Sequence, residues 1–215
     1  MRLRLGAPHP LVIAPLRTGE ALALQWGDID FEARTMHVRH TLQRVRRKDR
    51  RVRGEGEGLV LQPSKTRTSK QKLPMPEICV RALRAHRARQ LEERLAAGLR
   101  WAGTDFVFTT TAGKPLHAAD VMDESFRPTC ERAGIPYATR ENLKGPLEER
   151  GLRFYDLRHS CASLLIAQGV PLKVIQEILR HANIRTTSDR YTHLVPQIVG
   201  EALAAMDRSF LGDAI

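Results

Sequence analysis

Residues 155–181, YDLRHSCASLLIAQGVPLKVIQEILRH, decide how this chain is to be read. Apolar residues recur there at helical spacing on either side of Gly169, Val170 and Pro171, so a helix should end at the glycine and a second begin at the proline. Asp156 is placed to cap the first helix, with Leu157, Cys161, Leu164, Leu165 and Gln168 on one face turned toward a core. That face leaves Tyr155 and Arg158 in an exposed first turn. A helix N-terminus with a guanidinium beside it suits a phosphate, because unpaired backbone N–H groups and a bidentate cation point the same way.

Working toward the N-terminus, IPYATRENLKGPLEERGLRF (135–154) is a polar connection punctuated by Gly and Pro, and a helix is expected over Ala118–Ala133, stopped by Gly134. PEICVRALRAHRARQLEERLAAG (76–98) predicts a long helix with residues 78, 79, 82, 83, 91 and 95 as its apolar stripe. Before it come three strand signals, near Thr35–Arg44, in GLVLQP (58–63) and in QKLPMP (71–76), which predict a small antiparallel sheet. TGEALALQW (18–26) predicts a short helix ahead of the sheet. The fold class expected is α+β, mostly helical with a small three-stranded antiparallel sheet, in a single domain spanning 1–215.

The 35 Lys and Arg against 24 Asp and Glu give a formal charge of +11, which favours a polyanionic partner, nucleic acid or an anionic membrane surface. Seven of the ten residues from Arg44 to Arg53 are basic, and this stretch suits either a solvated hairpin tip or phosphate contact. Cys79, Cys130 and Cys161 have no paired spacing and read as reduced thiols of a cytosolic protein, with no zinc site. No apolar run reaches membrane-spanning length, and the N-terminal stretch is too short and proline-broken for a signal peptide. A cytoplasmic location is expected.

Three further segments carry chemistry. In PLRTGEALALQW, Arg17 precedes a helix start and Glu20 is close enough to orient it. In QPSKTRTSKQKLPMP, Lys65 lies at a hairpin tip where it could carry a transferable proton, and Lys70 and Lys72 are alternatives that spacing does not exclude. In LRHANIRTTSDRYTHL, His181 follows a helix, and Thr or Ser caps a short helix bearing Tyr191, with His193 beyond it. Two arginines, a lysine, a histidine and a tyrosine suit phosphoryl transfer in which the phenol attacks phosphorus and cations stabilise the non-bridging oxygens. No acidic cluster asks for a metal, and no cofactor is expected.

Together these segments resemble, in order, the catalytic domain of the tyrosine recombinases, the phage integrase family. LRTGEALALQWGDID is similar to the first arginine box, SKT to the hairpin lysine, YDLRHS to the second arginine box, and LRHANIRTTSDRYTH to the histidine and nucleophilic tyrosine. The resemblance spans about residues 11–195. It implies site-specific DNA recombination or integration by strand cleavage and rejoining. Tyr191 would form a 3′-phosphotyrosyl bond, Arg17 and Arg158 would clamp the phosphate, Lys65 would protonate the leaving oxygen, and His181 would hydrogen-bond the phosphate. Double-stranded DNA is the implied partner, bound by a homo-oligomer, a tetramer on DNA. PQIVGEALAAMDRSFL (196–211) resembles the family's C-terminal helix, which docks on a neighbouring protomer; packing on its own core is the alternative.

The chain departs from the pattern at four places. Ala14 and Pro15 stand where Thr-Gly usually precedes the first arginine. Tyr155 replaces a histidine; its phenol can hydrogen-bond but cannot become a cation near neutral pH. Arg180 replaces a glycine, predicting a looser turn or an extra cation at the DNA. Only 16 residues precede Arg17, so the family's N-terminal helical DNA-binding domain is expected to be missing. A type IB topoisomerase-like activity and a non-catalytic DNA-binding remnant remain alternatives at this point.

Overall fold

The computed structural model describes residues 15–45, 58–63, 72–139, 142, 145–146, 149–181 and 183–185. Lys65 and Lys70, the basic tip between residues 46 and 57, Tyr191, His193 and the segment 196–215 lie outside the described residues. The chain divides into two compact units, Met1–Arg158 and His159–Ile215, and the division falls inside a helix.

Among the described residues the first helix of the first unit is α1, Thr18–Leu22, which is shorter than the sequence predicts because Ala23 and Leu24 turn into the core and a tight turn at Trp26–Asp28 follows. The strand expected over Thr35–Arg44 is two strands. β1 (Ile29–Asp30), β2 (Thr35–His37) and β5 (Lys72–Pro74) form a three-stranded antiparallel sheet in the order β1-β2-β5, and β3 (His40–Val45) pairs with β4 (Gly58–Pro63) as a separate ribbon. Between β2 and β3 the chain passes Val38, which is buried, and Arg39, which pairs with the buried Asp28 carboxylate. That ion pair anchors the break. Gly19 is where α1 crosses the ribbon: a Cβ there would lie 2.6 Å from Thr41 Oγ1 and 2.9 Å from the Leu42 carbonyl, so only glycine permits this approach.

Helix α2 (Glu77–Ala97) begins after Pro76 and departs from the predicted stripe. Cys79 and Leu83 are buried as expected and Ala82 is packed against the core, but Ile78, Leu91 and Leu95 face solvent, and Val80, His86 and Gln90 complete the inner face. The reason lies in residues 105–109, an irregular segment outside the sheets that bends at Val107 and Phe108 and presents its carbonyls to the helix. His86 Nε2 donates to the Val107 carbonyl at 2.7 Å; Gln90 Nε2 reaches Phe106 O, Val107 O and Thr109 Oγ1, and its Oε1 accepts the Trp26 indole N–H at 2.6 Å. The same segment is tied to α1's exit through Val107 N–H to Leu24 O (2.8 Å) and Trp26 N–H to Asp105 O (2.9 Å). The first unit's core therefore joins α1, β2, α2 and this segment.

The helix expected over Ala118–Ala133 is present as α3 (Ala118–Val121) and α4 (Arg127–Arg132), joined into one rod by a π turn at Met122–Phe126. The polar connection that follows bends back on itself: Ala138 N–H meets Leu152 O at 2.9 Å and Leu152 N–H meets Pro136 O at 2.7 Å. Gly151, at φ +66°, is required there, since a Cβ would lie within 2.7–2.8 Å of the Tyr137 backbone. Phe154 then packs edge-on against Phe126 with ring centroids 5.5 Å apart, fixing the start of helix α5 (Asp156–Ala167).

In the second unit, Ala162 and Ile166 of α5 pack with Ile175 and Leu179 of helix α6 (Leu172–Leu179), supported by Leu165, Val170 and Leu172. The predicted core face of α5 is thus rotated: Leu164 and Gln168 are exposed, and the buried row is Arg158, Ala162 and Ile166, spaced by four.

Candidate active site

Arg17 occupies the extended position before α1, and Glu20, three residues on, holds it at two points. Its Oε2 accepts the Arg17 backbone N–H at 2.9 Å and its Oε1 accepts Arg17 Nη1 at 2.9 Å. The orienting role expected of Glu20 is what the geometry provides. The carboxylate is buried, with 5% of its side chain exposed, while 44% of the arginine side chain is exposed. A buried anion thus aims a cation outward.

The start of α5 repeats the device with different parts. Asp156 belongs to the helix and reaches back, its Oδ2 accepting the Arg153 backbone N–H at 2.9 Å and its Oδ1 accepting Arg153 Nη2 at 2.7 Å. This hydrogen bonding raises the Arg153 pKa above its ordinary value, against the opposing effect of partial desolvation. Tyr155 is exposed, as expected. Arg158 is not: only 2% of it is exposed, and its Nη1 donates to the Pro15 carbonyl. Burying a guanidinium is costly without such a bond, and the carbonyl that supplies it is two residues ahead of Arg17. Residues 143 apart in the chain are thereby joined within the first unit, and the two arginine segments meet.

In the second unit, α6 ends in a tight turn. Arg180 adopts the left-handed conformation at φ 52° and ψ 42°, its N–H bonds Glu177 O at 3.0 Å, and the His181 N–H bonds Gln176 O at 3.0 Å. Helix α5 ends in the same pattern, with Gly169 N–H on Ile166 O (2.8 Å) and Val170 N–H on Leu165 O (3.0 Å). Arg180 therefore does glycine's work at its helix end, and the looser turn predicted for it is not what forms. Nor is it a cation on the surface, since only 2% of it is exposed.

Sequence reasoning did not find the Pro15 carbonyl or the Arg153–Asp156 pair. An arginine followed three residues later by an acid marks both helix starts and could have found the second. Cys79 and Cys130 are buried and Cys161 is partly so, and all three are free thiols. No described helix is long and apolar enough to cross a membrane.

Comparison with known proteins gives a consistent result. The model of the phage integrase family matches residues 10–197. A tyrosine recombinase XerC-like protein of Caldanaerobacter subterraneus subsp. tengcongensis is 33% identical over 199 residues, covering 91% of this chain and 47% of that protein. An integrase of Streptomyces ambofaciens is 33% identical over 147 residues, covering 68% of this chain and 35% of the other. Among solved structures, the Tn1549 transposon integrase in complex with transposon right end DNA superposes with a TM-score of 0.60 at 25% identity, covering 86% of this chain and 53% of that one. The XerA recombinase, at 19% identity and a TM-score of 0.59 over 96% of this chain and 65% of that one, shares the fold. The chain spans about half the length, or less, of these curated relatives.

Proposed function

This chain belongs to the phage integrase family, and from that premise we propose that it cuts and rejoins duplex DNA at specific sites through a covalent 3′-phosphotyrosyl intermediate. The observation that carries the reading is the bond from the Arg158 guanidinium to the Pro15 carbonyl, which draws the second arginine segment against the first. In the proposed reaction the Tyr191 phenol gives up its proton to solvent as its oxygen attacks the scissile phosphorus, and the bond to the 5′ oxygen breaks. Lys65 gives that oxygen its proton. Arg17 and Arg158 hold the non-bridging oxygens as charge builds on them, His181 adds a hydrogen bond, and Tyr155 offers a neutral phenol where relatives have imidazole. The new phosphotyrosyl bond conserves the energy of the diester, so the reverse attack by a 5′-hydroxyl needs no ATP.

Double-stranded DNA is the partner that fits the formal charge of +11 and the DNA complex of the Tn1549 integrase. Exchange between two duplexes takes four cleavages, which supports a tetramer on DNA. The cytoplasm of a bacterial cell is the proposed location. The test is a denaturing gel of the chain with a labelled suicide duplex carrying a candidate attachment sequence, beside Tyr191→Phe. A band that survives denaturation in the wild type and vanishes in the variant is expected. No such band in the wild type, or an equal band in both, overturns the reading.

A further inference from the structure

The backbone of His181 is held at both its polar groups by one residue. Its N–H bonds the Gln176 carbonyl at 3.0 Å, and its own carbonyl accepts Gln176 Nε2 at 3.0 Å. The first of these is the ordinary closing bond of a helix end. The second is a side-chain bond that the turn does not require, and it comes from a residue only 9% exposed. The amide can point only one way. Lys173 Nζ lies 3.1 Å from Gln176 Oε1, so a flipped amide would set its NH2 against the ammonium and its oxygen against the His181 carbonyl.

Arg180 sharpens the need for this clamp. A non-glycine residue pays a steric cost in the left-handed region, so the peptide joining Arg180 to His181 is held in a conformation it would otherwise leave. Fixing the next residue at both its N–H and its C=O opposes that relaxation. With the backbone fixed, the imidazole has two torsions left rather than four.

We propose that Gln176 is the positioning residue of His181, setting where its imidazole meets the phosphate, with Lys173 orienting the Gln176 amide. The proposal rests on the reading of His181 as a phosphate donor.

The experiment measures single-turnover adduct formation on the suicide duplex at saturating DNA, together with DNA affinity by gel shift, for wild type, Gln176→Met, His181→Ala and the double variant. Methionine keeps the length and packing of glutamine and removes the donor. Gln176→Met is expected to slow adduct formation about ten-fold, within the roughly hundred-fold that ~1 Å of misplacement costs, with DNA affinity unchanged. In the His181→Ala background the same substitution should change nothing further. Lys173→Ala, at an exposed position that does not threaten folding, should slow the reaction in the same direction by less. A wild-type rate in both Gln176→Met and Lys173→Ala, or an equal slowing by Gln176→Met with and without His181, overturns the proposal. A Tyr191-dependent adduct that forms as fast in His181→Ala as in wild type instead overturns the role given to His181, and this proposal with it.

Discussion

The starts of α1 and α5 use one local device for two purposes. In each, an arginine is followed three residues later by an acid that takes both its backbone N–H and its guanidinium: Arg17 with Glu20, and Arg153 with Asp156. At α1 the paired arginine is itself the phosphate ligand we propose, and its buried carboxylate aims it outward. At α5 the pair only shapes the turn, while the proposed ligand, Arg158, sits five residues beyond Arg153, buried and bonded to the Pro15 carbonyl. The spacing marks where a helix begins. What an arginine is for depends on where its head lies.

The largest effect should come from exchanging each proposed ligand for lysine, which keeps the charge and loses the planar fork. Arg158→Lys and Arg17→Lys should each slow adduct formation by about 10²–10³, the usual cost of losing one donor to a developing oxyanion. Thermal melting should then separate them. Arg158→Lys loses about 1–3 kcal/mol because the bond between the buried Arg158 head and the Pro15 carbonyl is lost, whereas Arg17→Lys stays within about 0.5 kcal/mol. Equal melting of the two variants would break the contrast between an aimed arginine and an embedded one.

A smaller effect is expected at the acids. Glu20→Gln and Asp156→Asn each weaken a helix start and should cost about 1 kcal/mol in denaturant titrations. Only Glu20→Gln should also slow adduct formation, by about ten-fold, since it leaves Arg17 without its aiming charge. A matching loss of rate in Asp156→Asn would show that the two devices are not functionally distinct.

The smallest effect is one of pH, and it falls on the scaffold behind α1. Burial lowers the His86 pKa below its ordinary value near 6.5, the bond to the Val107 carbonyl opposes this, and the charge of Arg89 adds to it. The unfolded chain therefore takes up the proton more readily than the folded one. The stabilisation is fully present above about pH 6.5 and is lost as the pH falls through the folded-state value. Urea midpoints should drop between pH 7 and pH 5 in the wild type, and by less in His86→Gln. An equal drop in both would place the acid sensitivity elsewhere.

Much of this was legible in the residues, and the parts that were not share a cause. Helix ends could be read because glycine and proline act on their neighbours: Gly134, Gly169 and Pro171 stand where helices stop and start. Helix faces could not be read where a distant segment chose them. The second half of α2 turns His86 and Gln90 inward because the Phe106 and Val107 carbonyls of an irregular segment need donors, and no periodicity within α2 announces that need. Arg158 is the same case. Its place in the second arginine segment came from order along the chain, and its burial comes from a carbonyl 143 residues away. The split of the expected strand at Val38 and Arg39 likewise answers to Asp28, outside the strand.

The π turn between α3 and α4 leaves a mark of its own. Along that rod the buried residues are Val121, Phe126 and Cys130, a step of five followed by a step of four. A regular helix would carry the inner face from Val121 to residues 124 and 125, which here are Glu124 and Ser125. The rod thus holds one residue more than its length requires. A protein without that residue would align with this one on either side of the turn and be out of step by one position across it. Surface positions before the turn and after it are therefore out of phase, so a substitution copied by helical-wheel arithmetic from one end to the other would land about 100° from its intended face.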